Sequence, residues 1–208
     1  MPLPISGYVG QTFAAKGTSP AFRQDNTGAL VSSKYLPDYT QAMLDGVSYS
    51  VASQTATAVS AALATTYTGL LLFNPVNSGV ILIPKTVKFA LTVAPAATAS
   101  IGLIGGFAAT GGVTTQTTAL GVQSCIIGNT AKGKGVALSA ATIVTPTWMK
   151  HLSDGFTAAT LPGPMNGPID LKGKFGILPG GFIAIGALTA VTGLAALIWD
   201  ELPISVMN

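Results

Sequence analysis

Charge is what this sequence has least of. Ten lysines and arginines and seven aspartates and glutamates are all the formal charge on 208 residues, 8% of the chain. An average soluble domain is about 25% charged. A compact monomer of 20.9 kDa exposes roughly 9,000 Å², which leaves about one charge per 500 Å², far below the usual density of a free surface. Such a chain is expected to have much of its surface covered by partners or to sit in a membrane. A freely diffusing cytosolic monomer is the reading with least support.

Other shortages exclude particular functions. There is one arginine, Arg23, and the closest lysine pairs are Lys85/Lys88, Lys132/Lys134 and Lys172/Lys174. A nucleic-acid binder concentrates Lys and Arg on one face, so direct nucleic-acid contact is not expected despite the net charge of +3. The single cysteine, Cys125, allows no intrachain disulfide and no thiolate metal cluster. Its setting beside Val122, Ile126 and Ile127 predicts a small buried apolar side chain. His151 is the only histidine, with Ser153 and Asp154 close by, but no G-x-S-x-G elbow accompanies it. Asp200 and Glu201 are the only adjacent carboxylates. On a strand they point to opposite faces, so they are not expected to share a proton or flank one bond. No cofactor, no metal and no enzymatic activity are expected. The N-terminus lacks the basic and apolar regions of a signal peptide.

Residues 175–199 contain no charge, which makes them a candidate membrane span. Gly176, Pro179, Gly180, Gly181, Gly186 and Gly193 interrupt the run. A β-hairpin broken at Thr192-Gly193 is the expectation there, and no membrane partner is expected.

What the sequence does contain is β pattern. Residues 1–46 hold Pro2, Pro4, Pro20 and Pro37 without sustained periodicity, which predicts an extended N-terminal arm, with a short helix possible over 38–44. Residues 47–208 read as one β-sandwich of jelly-roll type, with about eight to ten short antiparallel strands. Strands are expected at 66–73, 80–83, 87–93, 100–107, 113–118, 122–127 and 136–144, and further on at 155–160, 168–171, 181–191 and 194–204. Pro84-Lys85 reads as a connection, and residues 58–64 could form a helical turn. Residues 128–135, Gly-Asn-Thr-Ala-Lys-Gly-Lys-Gly, nearly match a phosphate-binding loop. The final hydroxyl is missing and a strand-like segment follows, so a glycine-rich hairpin is expected. Tyr67, Phe73, Phe89, Phe107, Phe182 and Trp199 lie in apolar strand patterns and are expected in the core.

Two segments carry a resemblance. Residues 64–83, with Thr65-Thr-Tyr-Thr-Gly-Leu70, Asn74-Pro75 and Ser78-Gly79, are similar to a strand–turn–strand block of small virion proteins of tailed bacteriophages. The closing Leu178-Pro-Gly-Gly181 and Trp199-Asp-Glu-Leu-Pro203 resemble their C-terminal block, with Asp200 where Glu is commoner. The similarity runs over about 47–204 and is weakest at 110–165. The resemblance implies a jelly-roll capsid decoration (cement) protein, a homotrimer on the capsid surface, made in the bacterial host cytoplasm. Its partner would be the major capsid protein at junctions of the expanded shell. The arm residues Tyr8, Phe13, Phe22, Arg23, Tyr35 and Tyr39 are expected to contact shell or neighbour, because these aromatics lack a core of their own. The alternatives are a head-fibre or tail-tip protein recognising the host through loops at 105–115 and 161–168, and a small integral membrane protein. An enzyme using His151 ranks after both.

Overall fold

Runs of Val, Ile, Leu and Thr between glycine and proline turns form strands because branched side chains suit a pleated surface. The computed structural model describes residues 40–152 and 168–204. Among these lies one short helix, α1 (Thr40–Leu44), followed by β1 (Ser48–Ala52), β2 (Thr57–Val59), β3 (Thr66–Phe73) and β4 (Val80–Leu91). Next come β5 (Ile101–Phe107), β6 (Val113–Leu120), β7 (Gln123–Ser124) and β8 (Val136–Ile143). The last four are β9 (Thr147–His151), β10 (Ile169–Asp170), β11 (Gly181–Ala187) and β12 (Val191–Pro203). They make two antiparallel sheets. The first runs β10-β4-β12-β1-β7, with β2 also on β12, and the second runs β6-β8-β3-β11-β5-β9.

The pairings nest from the outside inwards. β1 pairs with β12, β3 with β11, β4 with β10 and β5 with β9. A long hairpin paired in this way and wrapped into two facing sheets is a jelly roll, so the described body is a jelly-roll β-sandwich. β6, β7 and β8 are inserted at the tip of that hairpin, between β5 and β9. β7 extends the first sheet beside β1, while β8 and β6 extend the second beside β3.

The core lies between the sheets. Leu82, Phe89 and Trp199 of the first meet Leu72, Leu103 and Ile185 of the second. The other face of the second sheet is apolar and buried as well, through Leu71, Phe73, Ile104, Leu138 and Phe182. A strand covered on both faces has no polar side to show. That is why Leu70–Phe73 and all of β11 read as continuous apolar runs.

Several sequence expectations change. β4 does not stop at Pro84-Lys85. The ladder slips one residue where Trp199 stands opposite Pro84 and Ile198 opposite Thr86, so the proline sits at a bulge where its missing N–H is tolerated. The strand expected at 122–127 is only the two residues of β7. In place of a helical turn at 58–64, β2 occupies 57–59 and Ala61 bridges Ala187. The expected hairpin at 181–204 is not a hairpin: β11 and β12 belong to opposite sheets. Thr192-Gly193 is no break either, because Gly193 lies within β12, where a Cβ would stand 2.6 Å from the Phe89 ring. The glycine serves a close approach, and the chain turns at 188–190 instead. Residues 175–199 are accordingly strand and turn, and no helix among the described residues is long and apolar enough to cross a membrane. The strand expected at 155–160 lies outside the described residues.

Candidate functional site

Charged side chains are rare enough here that each buried one has to be explained. Asp200 and Glu201 are 4% and 6% exposed near the end of β12. A buried carboxylate is tolerated only when hydrogen-bonded or paired, and the two satisfy that requirement on opposite faces of the strand.

Glu201 is held by the glycine-rich loop. The Lys134 N–H donates to its Oε2 at 2.7 Å, and the Gly135 N–H to Oε1 at 2.8 Å. The Trp199 indole N–H donates to Oε1 at 3.1 Å. A Cβ at Gly133 would stand 2.6 Å from Oε1, so the close approach needs glycine. The loop that resembles a phosphate-binding loop therefore does cradle an anion, but the anion is the chain's own carboxylate. The strand β8 follows it, as expected, where a phosphate site would have a helix. Glu201 also raises the Tyr49 phenol, whose upward shift comes first from burial and then from that negative charge. The Tyr49 ring lies 6.2 Å from that of Trp199.

Asp200 accepts a hydrogen bond from the Ser48 hydroxyl and pairs with Lys85 Nζ at 2.9 Å. Ser48, Asp200 and Lys85 belong to β1, β12 and β4, three neighbouring strands of the first sheet. Cys125 is half-buried rather than buried. Burial pushes its thiol up most, the Ser50 hydroxyl opposes that, and the charge of Asp200 adds to the rise. A thiol so shifted holds less thiolate and reacts slowly.

The opposite edge of the sandwich holds a groove of about 390 Å³. Gly105, Gly106 and Phe107 of β5, Thr147 and Met149 of β9 and the segment 175–178 enclose it. That segment is tied to the first sheet by the Ile177–Leu82 bridge, with hydrogen bonds of 2.8 and 3.1 Å in the two directions. Phe107, Met149 and Leu178 are 57%, 49% and 44% exposed. The core expectation fails for Phe107 alone of the six aromatics, since Tyr67, Phe73, Phe89, Phe182 and Trp199 are buried. Phe107 is the last residue of β5 and projects at the mouth of the groove.

The remaining candidates are dispersed. His151 ends β9, exposed and stacked on Trp148 at 5.6 Å. Ser153, Asp154, the 161–167 loop and all six arm residues lie outside the described residues. Of the 105–115 loop, residues 108–112 cross the end of the second sheet. There Gly112 donates to Gly180 at 2.7 Å and accepts from the Val144 N–H at 3.0 Å. Among the described residues no three His, Cys, Asp or Glu side chains gather where a metal could be held. Sequence reasoning missed the carboxylate clamp and the groove. The signal for the clamp was Asp200-Glu201 inside an apolar strand, where charge demands partners. The groove had no signal, since its residues come together only through the winding. No protein-family model, no curated protein and no solved structure matches the chain.

Proposed function

We propose that this chain is a structural subunit of a tailed-bacteriophage particle: a cement protein that decorates the capsid and stabilises it. Its partners are the major capsid protein and copies of itself in a homotrimer. The arm, through Tyr8, Phe13, Phe22, Arg23, Tyr35 and Tyr39, supplies the shell and neighbour contacts. The observation that carries the reading is the make-up of the described surface. Phe107, Met149, Leu178, Leu188, Leu194 and Ile198 are exposed while Asp200 and Glu201 are taken inside. Exposed apolar area with little charge favours cover by partners. The jelly-roll winding and the resemblance at 64–83 and 178–203 add support, although a fold by itself assigns no function.

The mechanism is mass action. A protein that binds only the expanded shell stabilises that state, by about 2.7 kcal/mol per site at a free concentration 100 times its dissociation constant. The test is co-sedimentation of the full-length protein with expanded and unexpanded shells, together with light scattering of the free protein. Binding to expanded shells alone, raised shell heat tolerance and a free mass three times 20.9 kDa are expected. Binding to host cells with no affinity for shells would replace this reading with a head-fibre or tail-tip role.

A further inference from the structure

The groove beside β9 combines two features. Three of the exposed large apolar side chains, Phe107, Met149 and Leu178, surround one concavity. The strand at its rim, β9, has a neighbour on one side only among the described residues, namely β5. An open strand edge next to an apolar groove is the arrangement by which an extended peptide adds to a sheet. Main-chain bonds then supply affinity, and the groove selects side chains. The groove volume falls near the lower end of the ~300–1,000 Å³ range of binding pockets.

We infer that the groove and the edge of β9 turned away from β5 receive residues 5–15 of a second copy, laid down as an added strand. This rests on the reading of the arm as a neighbour-binding segment. Chemistry chooses the occupant. The described lining carries no charge, so a charged segment would lose its hydration without compensation. Residues 5–15, Ile-Ser-Gly-Tyr-Val-Gly-Gln-Thr-Phe-Ala-Ala, are the longest run within 1–39 free of both charge and proline, and they include Tyr8 and Phe13. Proline would remove a ladder donor, so its absence suits strand addition.

Length puts a second copy within reach. The first strand, β1, stands three strands from β10 in the first sheet, about 15 Å at the usual strand spacing. Residues 16–39 can span about 80 Å, roughly twice the ~40 Å width of a compact body of this size. That reach exceeds the distance to its own groove severalfold, so a neighbouring body lies within it.

The test uses full-length chains with Cys125→Ser, so that no native thiol interferes. One chain carries Phe13→Cys and a second carries Met149→Cys; they are mixed without shells and oxidised. With the two chains carrying different affinity tags, a disulfide-linked species that contains one of each, at twice the 20.9 kDa chain mass, is expected, at least tenfold above a control in which the fully exposed Ile127 is replaced by cysteine instead of Met149. Adding Leu178→Asp to the Met149→Cys chain should abolish it, and Tyr8→Cys serves as a second arm position. No excess over the control from either arm position would overturn the inference. So would closure within one chain carrying both cysteines when the mixture fails to link. Linkage without shell binding would keep this inference and sink the cement reading, and shell binding without linkage would do the opposite.

Discussion

The two edges of the sandwich use similar material, glycine and apolar side chains, and finish differently. At the inserted edge the chain crosses from β7 in the first sheet to β8 in the second through a glycine-rich loop, which Glu201 fastens at Lys134 and Gly135. At the other edge Gly105, Gly106, Gly176 and Gly181 line a groove whose apolar rim faces outward. The difference is one carboxylate. A buried acid must find donors, and backbone N–H groups beside glycine can approach it closely. Where such an acid is available, a glycine-rich segment becomes a fixed part of the core. Where none is, the same composition leaves apolar side chains exposed around a groove.

The comparison is broken most directly by Glu201→Ala, which strands the buried N–H groups of Gly135 and Trp199 and leaves that of Lys134 to water. At roughly 1–3 kcal/mol for each unsatisfied buried donor, a loss of about 4 kcal/mol is expected in chemical denaturation. Amide exchange at Lys134 and Gly135 should quicken with it. A loss below about 1 kcal/mol would mean that the loop holds itself without the carboxylate.

A smaller effect is expected at Tyr67, a neutral anchor on β3. Its hydroxyl donates to Ile185 O at 2.6 Å and lies 3.0 Å from Leu70 O. Burial pushes this phenol far above its ordinary 10.0, so the folded state keeps it protonated while the unfolded chain ionises. The stability it contributes is therefore full below pH 10 and is lost as pH rises further. Tyr67→Phe should cost about 1–2 kcal/mol at neutral pH and flatten the alkaline limb of the stability profile. An unchanged limb would place the alkaline sensitivity elsewhere.

Least of all should Leu178→Asp alter the fold. At 44% exposure the change should stay within about 0.5 kcal/mol while removing the link between copies. A cost of 2 kcal/mol or more in urea unfolding would make the groove part of the core and erase the contrast between the edges.

How far the sequence led depended on how local each signal was. β3, β5, β8 and the start of β4 were legible because branched and apolar runs end in recognisable turns such as Asn74-Pro75 and Ser78-Gly79. The destination of β11 and β12 was not, since a turn at 188–190 looks the same whether the chain folds back in its own sheet or crosses to the other. Gly193 and Pro84 read as punctuation. The neighbours that make them part of strands, the Phe89 ring and the bulge at Trp199, lie more than 100 residues away in sequence. The clamp at Glu201 likewise joins a carboxylate to an N–H 66 residues distant. Phe107 had the pattern of a core residue, but its position at the last rung of β5 put it outside.

The Ser48–Asp200–Lys85 linkage bears on how a tether would be fastened. Ser48 is the first residue of β1 and stands opposite Asp200 in the antiparallel ladder. A pull transmitted through the residues before it would load β1 from its first rung, parting bonds in succession as a zipper does. The hydroxyl, carboxylate and ammonium groups join three strands at that rung, so the tension is divided among β1, β12 and β4 before the first rung opens. Chain entering the sheet there is held like a rivet through three plates, and not by a single stitch in the outermost one.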